Sequence, residues 1–422
     1  MHLRSFLAAN LLLLAALGCN KAEFPSEPQP TRELATATAS TPLVFRQVSA
    51  GGIHTCGVTT DDRAYCWGGN NLGQLGDGTT TQRLRPVAVA GGLRFKTITA
   101  GANYTCGITT GDKSYCWGNG YDGELGAFEG TGTQPAFVTV PFLVAGDFLT
   151  KQIWAGGGKD SVRAHHTCAL TLQNLAYCWG NNVTGQVGNG TTICCAEFFL
   201  PVKVAGGRRF AQVSVGIDHT CAVNPNGRAF CWGGNGAGEL GDRTHTNRYA
   251  PTAVSGGALR FRQVSAGGHV YFDLSVFRDF GGYTCALSTE DRAYCWGDNR
   301  YGKLGNDSPQ NSSIPRAVSG DRRYQQISAG ETHACAVSLA NQAYCWGRNL
   351  SGDLGDGTDA FRQRHPVPVA GDFQFSTVSA GDEHTCAVTA TGAAYCWGGN
   401  ADGQLGDGTT TTRRTPITVS GP

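Results

Sequence analysis

A Cys-Trp-Gly phrase recurs seven times in this chain, with its tryptophan at Trp67, Trp117, Trp179, Trp232, Trp296, Trp346 and Trp397, at intervals of 50, 62, 53, 64, 50 and 51 residues. A period near 50 constrains the fold more than any composition could. Each unit is one supersecondary element too small to bury its apolar face alone, so stacked copies must share a core. Each unit runs F-x-x-V/I-S-A-G-x-x-H-T-C-A-V-T, a polar turn, A-Y-C-W-G-x-N-x-x-G-x-L-G-D-G-T, and then P-x-x-V. Short runs of Val, Thr, Tyr and Trp cut by Gly and Asp every eight to twelve residues are strand signals. The first unit supplies four: Phe45 to Ala50, His54 to Thr59, Arg63 to Trp67 and Pro86 to Ala90. Four strands per unit and seven units predict an all-β, seven-bladed β-propeller of four-stranded antiparallel blades. The 61 Gly, the single Met and the absence of a helical periodicity after residue 42 agree.

The phrase A-G-x-x-H-T followed by A-Y-x-W-G-x-N-x-x-G-Q-L-G resembles the repeat of the regulator of chromosome condensation family. GQLG stands intact at Gly73 to Gly76 and at Gly403 to Gly406, and the resemblance spans about 380 residues. It implies a seven-bladed propeller. The family's functions are broad, from a nuclear guanine-nucleotide exchange factor to secreted bacterial propellers that inhibit β-lactamases, so the resemblance leaves the activity open. The first unit lacks a preceding P-x-x-V strand and the last ends with one, Pro416 to Ser420. The N- and C-terminal strands are therefore expected to meet and close the ring.

Residues 1–18 read as a signal peptide. His2 and Arg4 precede an uncharged run from Phe6 to Gly18, too short to span a bilayer, and Ala16-Leu17-Gly18-Cys19 resembles the lipobox of bacterial lipoproteins. Cys19 is then the lipid attachment site. Residues 19–42, rich in Pro, Ser, Thr and Ala, read as a disordered tether. Residues 43–422 read as the propeller. The predicted location is outside the cytoplasm, lipid-anchored to the bacterial cell envelope, at the outer membrane if the host is Gram-negative. With 33 basic and 32 acidic residues the net charge is +1, which offers no field to hold nucleic acid, and membrane contact is expected only through the anchor.

Fourteen of the 17 cysteines form Cys-x9-Cys pairs flanking a hairpin turn: Cys56 with Cys66, Cys106 with Cys116, Cys168 with Cys178, Cys221 with Cys231, Cys285 with Cys295, Cys335 with Cys345, and Cys386 with Cys396. An even separation places both on one face of the sheet within bonding reach, and an exported chain meets oxidising conditions, so seven disulfides are expected. The neighbours Cys194 and Cys195 are left to bond each other or to stay as a thiol pair. His54, His166, His219, His333 and His384 stand two before the first cysteine and suggest a metal cage. Tyr104 and Tyr283 occupy that place in the other units, and no fourth ligand recurs. No metal and no cofactor is expected; the place of the histidine in the family repeat implies a hydrogen bond to a neighbouring turn. Gly118, Gly120 and Gly123 spell G-x-G-x-x-G, but no helix follows, and the run is a variant of the blade's own phrase.

Departures from the repeat carry the functional reading. Unit three has seven extra residues between Gly156 and Thr167, and unit five has thirteen between Gly267 and Thr284. The third connections of units two and three are stretched through Ala127 to Phe142 and Thr191 to Phe199. In an up-and-down blade the first and third connections emerge together, so all four departures crowd one face. Tyr271, Phe272, Phe277, Phe280, Phe198 and Phe199, with Lys159 and Arg163, are the candidate partner-binding residues, because aromatics and arginine anchor protein interfaces. The unit-five insertion alternates over Val270 to Val276, which suits a short β-ribbon, with Gly281-Gly282 as its flexible return. The expected function is protein binding through these loops by a monomeric, non-enzymatic scaffold whose partner lies in the envelope or outside the cell. A glycan-binding or glycan-processing surface built on the same aromatics is the alternative. Nucleotide exchange rests on the resemblance alone.

Overall fold

The computed structural model describes residues 42–127, 135–158, 165–191, 197–271 and 279–422. Cys19, Lys159, Arg163, Cys194, Cys195, Phe272 and Phe277 lie outside them. Seven four-stranded antiparallel sheets form the seven blades, each from one continuous stretch of chain in sequential strand order. Blade one comprises Phe45–Ala50, His54–Thr59, Ala64–Gly68 and Arg83–Ala88. Its last strand starts three residues before the predicted one, where Arg83 pairs with Gly68 beyond a bulge. The one helix among the described residues is a 3-10 turn, Ala205–Gly207.

The first strand of every blade lines a central channel of about 520 Å³. At one end the Ala-Gly pairs, Val215-Gly216 in blade four, narrow it to a collar enclosing about 80 Å³. Glycine is needed there because the blades touch through their backbones. A Cβ on Gly51 would stand 2.4 Å from the Gly101 carbonyl. Where the collar is hydrogen-bonded, the residue after the glycine donates its N–H to a glycine of the next blade, as Gly52 does to Gly101 and Asp382 to Gly51.

The repeated tryptophans lie between blades. All seven are fully buried. Each indole Nε1 donates to a carbonyl in the third connection of the preceding blade: Trp117 to Gln74, Trp232 to Gln186, Trp67 to Gln404. The glycine two residues after that carbonyl has φ +69° at Gly76, and a Cβ there would meet the Trp117 ring at 2.5 Å. The L-G of the repeat is thus a contact requirement as well as a turn.

The repeated histidines bind across the same junctions, not to a turn. His54 Nε2 lies 2.8 Å from Thr105 Oγ1, His219 3.0 Å from Thr284 and His384 2.8 Å from Thr55. Thr105 gives its own proton to the Gln74 carbonyl, so the imidazole must be the donor, with its proton on Nε2. Burial pushes His54 and His333 down to about 3 and keeps them neutral. Tyr104 and Tyr283 reach the next blade differently, donating to the carbonyls of His166 and His333. After Tyr104, blade three keeps the threonine, and Thr167 Oγ1 stands 3.0 Å from the Tyr104 hydroxyl and 2.8 Å from the Glu124 carbonyl; after Tyr283, blade six carries Ala334 instead.

Each cysteine of a second strand faces its partner in the third, Cys56 opposite Cys66 and Cys386 opposite Cys396. The seven sulfur pairs lie 2.07 to 2.11 Å apart in fully buried positions. Among the described residues no group of three or more His, Cys, Asp or Glu side chains is arranged to hold a metal ion.

Ring closure combines packing with hydrogen bonds across the seam, among them Ala50 N–H to Ser379 Oγ and Phe45 N–H to the Gly392 carbonyl. Phe45, Val48 and Trp67 of blade one share a cluster with Val388 and Leu405 of blade seven, and Leu43, Ile417 and Val419 from the two chain ends cover it. Both terminal strands contribute to this cluster, but they lie in different sheets and do not pair with each other, so the expected closure by the two strands is replaced by contacts between whole blades.

Candidate functional site

The collar face is where the fold departs from its own symmetry. First strands end at the collar in other blades, but in blade five the inner hairpin continues. Phe261–Tyr271 pairs with Asp279–Ser288 for five further pairs, Gly267 with Tyr283 through Tyr271 with Asp279. Five extended residues add on the order of 16 Å. Of the ribbon predicted over Val270 to Val276, Val270 and Tyr271 lie in this ladder and the rest falls outside the described residues; one expectation about it needs correcting. Gly281 and Gly282 are members of the ladder, opposite His269 and Gly268, not a flexible return. Gly282 is small because Glu239 of blade four lies against it; a Cβ would meet the Glu239 carboxyl at 2.9 Å.

Phe280 and Tyr271 sit at the end of this ladder. Phe198 and Phe199, read from sequence as loop residues, lie in the outer strand Glu197–Lys203 of blade three. Phe198 pairs with Gly180 and packs, half-buried, on the junction of blades three and four. Phe199 covers Gly123 of blade two, where a Cβ would stand 2.9 Å from its ring. Likewise Phe142 belongs to the outer strand Phe137–Leu143, opposite Cys116. Aromatic and β-branched residues favour a pleated, half-buried edge, and this won over the loop reading.

The feet of both first-connection insertions rest on buried charge that sequence reasoning missed. Beside the unit-three insertion, His165 Nδ1 is 3.3 Å from Asp122 and 3.6 Å from Glu124. Burial alone would push His165 down; the Asp122 hydrogen bond and the two carboxylates outweigh it and hold the imidazole above its ordinary value. Beside the unit-five ribbon, Lys303 Nζ lies 2.6 Å from Asp298, both fully buried, and donates to the Gly281 carbonyl at 3.0 Å. Burial pushes Asp298 up, but Lys303 and Arg300 overcome it and hold it low. Glu239 is raised well above the carboxylate range by burial and by the Asp218 charge. Glu124, Glu239, Lys303 and Asp353 occupy the repeat position held by Gln74, Gln186 and Gln404. A charged residue in a slot otherwise filled by glutamine was the available signal.

A pH dependence follows. Burial pushes Glu124 up from 4.5 to about 7, with His165 opposing. A carboxyl raised on folding favours the folded state fully below its unfolded value and loses that contribution as pH rises from about 4.5 through about 7. Glu124→Gln, native-like in three other blades, should leave the melting temperature unchanged near pH 4.5. It should then stabilise progressively, by about 1–3 kcal/mol at pH 8. Thermal melts of both proteins across that range check this; a difference independent of pH would contradict it.

The model described as Regulator of chromosome condensation (RCC1) repeat matches residues 61–108, 173–223, 226–272, 290–337, 341–388 and 391–422. A second model of the same description adds 45–74, 95–124 and 210–239, among others. The Ultraviolet-B receptor UVR8 of Arabidopsis thaliana is 31% identical over 376 residues, 87% of this chain and 80% of that protein. The E3 ubiquitin-protein ligase HERC2 of Homo sapiens is 27% identical over 298 residues, 69% of this chain but 6% of its own length. Human WBSCR16 superposes with TM-score 0.71 at 20% identity, covering 85% of this chain and 94% of its own. Prp20p of Saccharomyces cerevisiae, a protein with binding properties toward Gsp1p and histones, does so with TM-score 0.68 at 19% identity, covering 90% and 87%.

Proposed function

This chain belongs to the regulator of chromosome condensation repeat family, and from that premise we propose that it is an exported, lipid-anchored scaffold binding a protein partner through the collar face. The carrying observation is the inner hairpin of blade five, extended five pairs past the point where the other first strands stop. An insertion on a rigid ring is a usual way for a propeller to present a contact. Prp20p, which shares the fold, has binding properties toward proteins, in keeping with this reading. The ligase activity of HERC2 is not carried over, since the match covers 6% of that protein.

Export is supported by the uncharged run Phe6 to Gly18 before Cys19 and by fourteen cysteines placed for pairing, which suits an oxidising compartment. The partner then belongs to the envelope or the extracellular space.

Replacing residues 270–280 by Asn-Gly, which closes the ladder at His269 and Gly281 and keeps the Gly281 carbonyl bonded to Lys303 and the Thr284 hydroxyl bonded to His219, tests the proposal. The expected result is loss of capture of a partner from envelope extracts with an unchanged melting temperature. A large fall in stability would instead make the insertion a plug of the channel mouth, and retained capture would remove the ribbon from the interface. A parallel nucleotide-exchange assay on a small GTPase should show no acceleration.

A further inference from the structure

One junction of the channel wall lacks both of the clamps that tie neighbouring blades elsewhere. Five blades carry serine before the collar alanine and blade two carries Thr99; the hydroxyl accepts the N–H of the next blade's residue at the alanine position, as Ser49 does from Ala100 and Ser265 from Ala329. Two residues earlier, the glutamines of blades one, four, five and six clamp the next blade through both amide atoms, while blades two and seven carry Thr97 and Thr377 there. Gln263, for example, donates to the Ile327 carbonyl and accepts from its N–H. Between blades three and four neither clamp exists. Trp154 replaces the serine, lining the channel half-buried while packing on the cluster of Val213 and Val215. Gln152, two residues before it, keeps its Oε1 buried without a hydrogen-bond partner. Thr377 Oγ1, on the blade-seven part of the wall, is also buried and unpartnered.

We propose that the channel binds a neutral mono- or disaccharide whose ring stacks on Trp154 and toward whose hydroxyls the side chains of Gln152 and Thr377 turn out of the wall. Channel volume, about 520 Å³, falls within the range of roughly 300–1,000 Å³ typical of small-molecule sites. The wall is made of amides, hydroxyls and short aliphatic groups, with Lys151 its single charged side chain and no carboxylate. An anion would find one cation and a cation no counter-charge, whereas a sugar ring offers an apolar C–H face for the indole and a rim of hydroxyls. The unpartnered Oε1 requires a donor, and a buried acceptor without one is costly. The glutamine end gives entry, since the collar is the narrower end. This site is independent of the docking face: its wall is the channel, and it involves no residue of the ribbon beyond the collar.

The protein carries its own probe. Of the eight tryptophans, seven are fully buried and Trp154 alone is partly exposed. Titration of the full chain with D-glucose, N-acetyl-D-glucosamine and maltose, followed by tryptophan fluorescence and calorimetry, should give a saturable response with at least one sugar. That response should vanish in Trp154→Ser, the residue native to this position in five blades, and shift to roughly five- to tenfold higher sugar concentration in Gln152→Leu. Should Trp154→Ser melt early, acrylamide quenching of the unmodified protein decides: sugar that shields the one solvent-facing indole supports the site, and unaltered quenching overturns it. No saturable response to any of the three sugars, or an unchanged response in Trp154→Ser, also overturns it.

Discussion

Protein refolded with its fourteen blade cysteines reduced should fail to recover the disc. Each pair joins residues ten apart in sequence across one hairpin. A loop of that length contributes about 2.8 kcal/mol through the entropy it removes from the unfolded chain. Seven such contributions approach about 20 kcal/mol, more than the roughly 5–15 kcal/mol of net stability of a folded protein. The expected readout is a melting midpoint lower by roughly 20 °C or more, or no cooperative transition at all. The staples matter this much because the blades are otherwise thinly stocked: alanines and glycines occupy much of the second strands, as in Cys56-Gly57-Val58 and Cys335-Ala336-Val337. A chain with all fourteen thiols alkylated and an unchanged midpoint would show that inter-blade packing alone carries the fold.

The second large effect is expected at the ring's seam. Trp67 is fully buried, its ring 5.8 Å from that of Phe45, and its indole donates to the Gln404 carbonyl at 2.9 Å. Trp67→Ala should cost about 3–5 kcal/mol, lowering the midpoint by roughly 5–10 °C. Trp397→Ala deletes the equivalent contact between blades six and seven, where the chain itself tethers the two blades. At the seam between blades seven and one no covalent link limits the opening. Trp67→Ala should therefore also raise susceptibility to proteolysis at residues 43–50 and 413–422, a readout Trp397→Ala should move less. Trp67→Phe should recover most of the packing while leaving out the hydrogen bond. If Trp67→Ala melts with the unmodified protein, closure is held elsewhere.

Sequence alone determined the number of blades, the strands in each and the pairing of cysteines across each hairpin. These are local or periodic properties. Alternation along a strand says which residues share a face, and a separation of ten with a turn at its centre sets Cys56 opposite Cys66. Only the tertiary structure decided what each face meets. His54 finds Thr105 and Gln263 finds Ile327 in the next blade, about one repeat away, because closing the ring sets neighbouring sheets face to face. Phe198 and Phe199 became strand residues because the third strand of blade three offered an unpaired edge. Glu124 and Trp154 read in sequence as small variations on a repeat. Their consequences, a carboxyl pushed up to about 7 and an aromatic lining the channel, arise from burial and from the shared axis. Both are properties of where seven blades converge, which no single unit encodes.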